Sequence, residues 1–401
     1  MLDVVIISNY WHFPSEKSSS RYHSIATLAA SEELSVELLT SCFYHTNKQY
    51  RSDTVCVGED IPYKVTLLKE KAYKKNISLG RIISHKQFAD NVIKYLITRK
   101  KPDIVYLFVP PISLAKKVVR YAKKNGIRVV IDVLDLWPEA FEMVLPSFVS
   151  KSILLPMRKS AEYVYSNADE VIAVSDTYVK RAIKHNARKN IGHSVFIGTD
   201  IEAFDNAAAN APLLEGKLRP ITMAYIGMLG HSYDLCGVMD AMHLLIEQGF
   251  DDVELLIMGD GPLKNKFQEY AKQYELPVRF TGRLDYEDMV KKLVKCDIGL
   301  NALIGDSAAS IINKQADYVS AGIPIINVQK NQEFGELLVN YNAGLMCTPG
   351  DTETLANAIR TLASNEEMRN RMGKNSRRLA EEKFNRKNTY GEIITVMKGE
   401  L

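Results

Sequence analysis

The sequence predicts two α/β domains, each built on a mostly parallel sheet with helices on both faces. Three observations carry this. Short β-branched runs alternate with amphipathic helical stretches almost from end to end. Those runs are apolar on both faces, as strands covered on each side must be. The alternation also restarts beyond a small, polar, proline-punctuated stretch after Thr199. At 401 residues the chain exceeds one compact core and suits two domains of about 200 residues each.

In the first half, strands are predicted at Val4–Ile7, Val36–Leu39, Ile104–Phe108, Val129–Asp132 and Val171–Val174. Helices are predicted at Ser20–Ala30, Leu79–Thr98, Ile112–Asn125, Ser150–Tyr165 and Thr177–His185. The second series of strands reads Ile221–Ile226, Val253–Met258, Val278–Thr281, Ile298–Leu300 and Ile323–Asn327, with helices such as Leu235–Gln248 and Asn313–Ser320. Between the two series, Thr199–Arg219 has the composition of an interdomain linker. After Thr361 the chain is helical and highly charged, with a final amphipathic stretch at Asn388–Lys398. The expected domains are 1–200, 201–385 and a terminal segment 386–401. Ligands of doubly wound domains bind at the carboxyl ends of strands, here in the cleft where the two domains are expected to face each other.

Composition is that of a soluble globular protein, 46% hydrophobic and 25% charged. Five cysteines without CxxC pairing argue against a disulfide framework or zinc cluster and for a reducing cytoplasm. No leader-like opening and no apolar run near the ~18 residues of a membrane span are read. The net charge of +3 hides an asymmetry. Residues 1–200 carry 29 Lys and Arg against 20 Asp and Glu; residues 201–401 carry 22 against 28. A basic first half suggests an anionic surface or acceptor there. Nucleic acid is not expected, because no recognition motif accompanies the charge. A dehydrogenase is poorly supported, since no GxGxxG follows the first strand of either half.

Four loops of the second half stand out. Gly227 and Gly230, in YIGMLGHSYD, let backbone approach a ligand, and His231 and Ser232 follow them. Gly259 and Gly261 bracket Asp260 in a turn that opens a helix, and Arg283 stands just beyond another strand. The run ASIINKQADYVSAGIPII places Ser310 and Asn313 near a helix start, with Lys314 and Asp317 three apart on one face. Lys314 can supply charge to a diphosphate and Asp317 can accept two ribose hydroxyls. The plain alternatives are a tight turn for the glycines and an exposed ion pair for Lys314 and Asp317.

In the first half, Asp132 and Asp135 follow a strand, ahead of Trp137-Pro138-Glu139. A carboxylate there can orient or deprotonate an acceptor hydroxyl, or merely cap a helix. Ser18, Ser19 and Arg21 form a second candidate loop, for donor phosphates. Lys69–Lys75 (KEKAYKK), with Arg81, His85, Lys86, Leu79, Ile82, Ile83 and Phe88, reads as a basic helix on anionic lipid or as a solvated face.

These segments resemble the retaining, GT-B-fold glycosyltransferases of family 4, in the bacterial surface-polysaccharide branch with a D-x-W-P segment. The resemblance rests on IMGDGP, VRFTGRL, CDIGL and DYVSAGIPII, and on ISNYWHFPSEKSSSRY, DVLDLWPEA, IAVSD and FIGTDIEAF. It implies two Rossmann-like domains, a nucleotide-sugar donor on the second, an acceptor on the first and a C-terminal helix crossing back. Asp135 matches the family's acceptor-side position. Two departures stand out. Met228 and Tyr233 occupy positions where many members carry an Arg and a Lys. Ala309 replaces the first of two glutamates eight apart, and Asp317 the second.

The expected activity is transfer of a sugar, an N-acetylhexosamine or related one, from a UDP-sugar to a lipid-linked or glycan acceptor, with retention and no essential metal or other cofactor. It would serve surface polysaccharide synthesis (capsule, O-antigen or exopolysaccharide) from the cytoplasm, peripherally on the membrane. Alternatives are a sugar-nucleotide epimerase of this architecture and a degenerate, non-catalytic subunit.

Overall fold

The computed structural model describes the chain except residues 17–19, 53–60, 77, 143–153, 185, 188–190, 213–219, 305–310 and 401. It divides into two compact units, Met1–Phe196 with Thr389–Leu401, and Ile197–Asn388.

The first unit contains β1 (Asp3–Ser8), β2 (Ser35–Ser41), the short β3 (Phe43–Tyr44) and β4 (Gln49–Tyr50), and β5 (Lys64–Leu68). It continues with β6 (Ile104–Val109), β7 (Arg128–Val133), β8 (Glu170–Ala173) and β9 (Gly192–Ser194). β3 and β4 pair antiparallel; the others form one parallel sheet in the order β5-β2-β1-β6-β7-β8-β9. The central strands β1, β6 and β7 are buried along nearly their whole length, which their two-faced apolar runs require. Strand order reverses between β1 and β6, so the crevice of this unit opens beyond Ser8 and Val109. Ser20 and Ser78 cap the helices Arg21–Ser31 and Leu79–Thr98, each accepting from the amide three residues on.

Residues 389–401 complete this unit. Tyr390, Ile393, Ile394, Val396 and Met397 lie in the same apolar core as Ile25, Ala26 and Ala29 of the first helix.

The second unit repeats the plan with β10 (Ile221–Ile226), β11 (Val253–Met258), β12 (Val278–Phe280), β13 (Ile298–Ala302), β14 (Ile325–Val328) and β15 (Gly344–Cys347). Its parallel sheet runs β12-β11-β10-β13-β14-β15, reversing between β10 and β13. The stretch expected to be a linker is partly something else. Ile201–Ala209 is a helix capped by Asp200, with Ile201, Phe204 and Ala207 buried. Its alanines satisfy helix propensity, which a reading on small, polar composition overlooks.

Candidate functional site

In the second unit the loops after β10 and β11 are joined backbone to backbone. The Gly227 amide donates to the Met258 carbonyl (3.0 Å), the Leu229 amide to Asp260 (2.9 Å) and the Leu263 amide to Leu229 (3.0 Å). A Cβ on Gly259 would stand 1.8 Å from the Gly227 oxygen, and one on Gly261 2.5 Å from the Leu229 oxygen. Both glycines therefore serve the close approach of two loops. Gly227, at φ 122°, is the one in a conformation that side chains avoid. Gly259→Ala should lower the unfolding free energy by at least about 2 kcal/mol, because the obstacle is backbone and cannot rotate away. A urea midpoint equal to wild type would contradict this.

Lys314 enters beside these loops from the second position of the helix Asn313–Ser320. The sequence reading has it exposed at a helix start and facing a diphosphate, with an exposed pair to Asp317 as the plain alternative. Instead it is 7% exposed, and its ammonium rests 3.9 Å from the Tyr225 ring centre and 3.8 Å from that of Tyr233. A Cβ on Gly227 would meet it at 3.5 Å. Among the described residues Nζ has no hydrogen-bond acceptor. Burial pushes its pKa well below the ordinary lysine range. Two aromatic faces replace the missing carboxylate in part.

Asp317, one turn along, is half-buried. Its Oδ1 accepts from the Tyr286 hydroxyl (2.9 Å) and from Thr199 Oγ1 (3.2 Å). Burial, and then this carboxylate, hold the Tyr286 phenol far above its usual range. The helix start is anchored by a buried amide chain that sequence reading missed. Gln315 Nε2 and Asn301 Nδ2 both donate to Gln329 Oε1, at 3.1 and 3.0 Å, and Asn301 also donates to Asn327. Polar residues inside strands were the available signal: Asn301 and Asn327 lie directly opposite each other in β13 and β14.

The other predicted residues of this unit scatter around that centre. Gly230 accepts from the Tyr233 amide and Ser232 from the Ile304 amide, both through their carbonyls. His231, Arg283 and Asn313 are exposed. Ser310 and Ala309 lie outside the described residues, as do Ser18 and Ser19 of the first half.

In the first unit Arg21 is corrected outright. Expected at a phosphate, it is 3% exposed and its donors are committed to the protein. It grips Asp132 through Nε (2.9 Å) and Nη2 (3.1 Å), while Nη1 donates to the carbonyls of Val195 and Phe196. Tyr106 donates to the same carboxylate at 2.7 Å. Asp132 is thus a buried counter-charge, fully enclosed.

Asp135 is half-buried beyond β7 and accepts from Trp137 Nε1 (3.0 Å). Burial raises its pKa, opposed by that bond and the Leu136 amide. The basic stretch divides. His85 and Phe88, expected to face lipid, are buried, because they share the inner face of the helix Leu79–Thr98. Leu79, Ile82 and Ile83 are 78%, 63% and 52% exposed, and Lys71, Lys74, Lys75 and Lys86 are exposed around them. Among the described residues no helix is long and apolar enough to cross a membrane. Nor, among them, do three His, Cys, Asp or Glu side chains stand where they could hold a metal.

Residues 214–379 match the family described as glycosyl transferases group 1. The match lies wholly within the second unit. An O-antigen chain mannosyltransferase of Escherichia coli is 29% identical over 149 residues, 36% of this chain and 39% of that one. A sulfoquinovosyl transferase of Arabidopsis thaliana is 21% identical over 295 residues, 70% of this chain and 54% of that one. The chain thus spans about half or less of the curated relatives it matches. Among solved structures, Anabaena HepE in complex with UDP superposes over 100% of both chains with a TM-score of 0.72 at 15% identity. That likeness shows the fold: GT-B, with two Rossmann-like domains.

Proposed function

We propose that this protein is a glycosyltransferase that moves a sugar, with retention, from a UDP-sugar to a lipid-linked or glycan acceptor in bacterial surface polysaccharide synthesis. The observation that carries the donor side is Lys314, a buried ammonium with no acceptor among the described residues, at the strand-order reversal of the second unit. A diphosphate supplies the acceptor oxygens it lacks. Tyr233 replaces a cation common in relatives, and Lys314 stands over its ring, so the charge is relocated rather than lost. This favours a working enzyme over a degenerate subunit. The UDP in the HepE structure and the O-antigen role of the mannosyltransferase support this donor and pathway. Asp317 positions the nucleotide, and catalysis rests on orientation and on stabilising the departing diphosphate. No metal-dependent step is invoked. The deciding experiment incubates the protein with a panel of nucleotide sugars, with and without glycan acceptors. Conversion of a donor to an epimer without acceptor would overturn the transferase reading.

On the acceptor side, Asp135→Asn should lower turnover by about 10²- to 10⁴-fold while leaving donor affinity unchanged. If its carboxylate takes the acceptor proton, the acid limb of the wild-type rate profile should lie above the ~3.9 of an ordinary aspartate, following its raised pKa. Wild-type turnover in the variant at saturating substrates would move the role elsewhere.

The exposed Leu79, Ile82 and Ile83 amid four lysines fit an anionic bilayer on the cytoplasmic side. Each lysine near such a surface contributes on the order of 1 kcal/mol. Replacing Lys71, Lys74 and Lys75 with Glu should abolish sedimentation with anionic vesicles at low salt. Equal binding to neutral vesicles would refute the electrostatic part.

A further inference from the structure

Beyond β1, in the crevice of the first unit, a second group of basic side chains converges. Arg81 donates through Nη2 to the Tyr10 hydroxyl (2.7 Å) and through Nη1 to the Asn76 carbonyl (2.9 Å). Its guanidinium lies 5.1 Å from the Trp137 ring centre and 5.7 Å from that of Tyr10. Its Nε is buried and, among the described residues, without an acceptor. The Tyr10 hydroxyl meets His85 Nε2 at 2.9 Å. Lys48 Nζ stands 3.3 Å from His45 Nδ1 and 4.9 Å from the Tyr73 ring centre.

These groups repel one another's charge. Burial, then Lys48, Arg81 and His12, push His45 down to about 3. Burial, then Arg81 and His45, do the same to His85. Lys48 is lowered by burial and by Arg81. The nearby acid does not relieve them, for Glu70 accepts from Ser84 (2.6 Å) and Asn9 (2.7 Å), and burial raises its pKa. Among the described residues neither Arg81 nor Lys48 is paired with a carboxylate. A concentration of cations without a counter-charge is relieved by an anion with several acceptor oxygens.

We propose that the carboxyl end of β1 holds a phosphate-binding subsite, formed by Lys48, Arg81, His45 and His85 between the rings of Tyr10 and Trp137. Its ligand is a phosphate group carried by a lipid. Arg81 lies on the same first turns of its helix as Leu79, Ile82 and Ile83, whose exposed side chains offer apolar surface to a tail beside the phosphate. Trp137 links the subsite to Asp135, which accepts its indole N–H. The inference deepens the acceptor side of the proposed transferase and rests on that reading only for the lipid.

Trp137 and the enclosed Trp11 are the two tryptophans of the chain, so intrinsic fluorescence reports on this unit. The protein is titrated with inorganic phosphate and with dihexanoyl phosphatidic acid below its micelle concentration, under saturating UDP to fill the other unit. A saturable change is expected, weakened at least tenfold in Arg81→Gln and separately in Lys48→Gln, and absent in Trp137→Phe. Phosphatidic acid should bind at least tenfold tighter than phosphate, and the triple variant Leu79→Ser, Ile82→Ser, Ile83→Ser should remove that advantage only. Unchanged affinity in Arg81→Gln and Lys48→Gln, with circular dichroism intact, overturns the subsite. So does binding that vanishes when UDP is added. Equal affinity for both probes overturns the lipid part. Phosphate binding of the expected kind in a protein that turns over no nucleotide sugar would defeat the transferase reading and leave the subsite standing.

Discussion

Asp132→Ala is expected to destabilise the protein by about 3–5 kcal/mol, the usual result of stranding one member of a buried ion pair. Arg21 would keep its charge among Val195, Phe196 and the Tyr390 ring, having lost both carboxylate oxygens and their 2.9 and 3.1 Å bonds. Tyr106 would lose its acceptor as well. In urea the midpoint should fall sharply with little change in slope. The double variant Arg21→Met, Asp132→Leu should recover much of the loss, because it removes both desolvated charges together. A single Asp132→Ala variant with wild-type stability would mean that water already reaches the pair.

Lys314→Met should do the reverse to stability. A buried ammonium with no acceptor among the described residues is a liability in the free protein, and methionine of similar length packs between the Tyr225 and Tyr233 rings without it. The melting temperature should hold or rise. Affinity for the donor diphosphate should fall at least tenfold, since hydrogen bonds to charged groups are worth about 1.5–3 kcal/mol each. Calorimetric titration with UDP decides it. Gain of stability with unchanged UDP affinity would make Lys314 a packing residue and remove the proposed phosphate contact.

The central strands were legible because burial on two faces forces apolar runs, as at Ile104–Val109 and Ile221–Ile226. The edges were not. β5 and β15 are only half-buried along most of their length, and β9 has three residues, so none imposes a long apolar run. At the sites, residue type and position placed Lys314 near a helix start and Asp135 just beyond a strand. They did not disclose surroundings. Lys314 read as solvent-facing because helix spacing shows which residues share a face, not whether that face is covered. Arg21 looked available because its partner Asp132 is 111 positions away. The Arg81 cluster was split in the same manner, its members drawn from the segments after β1, β3, β5 and β7.

The placement of residues 389–401 bears on how the protein is made. The first unit's core includes Tyr390, Ile393, Ile394, Val396 and Met397. Each such side chain contributes about 1.5–3 kcal/mol when fully buried. On the ribosome, the half translated first must wait until the whole of Ile197–Asn388 has been synthesised before its packing can close. The second unit, contiguous in sequence, is free to fold as it emerges. Excision at Phe196 would therefore yield an incomplete globule, and independent production of that half requires grafting 389–400 onto its end.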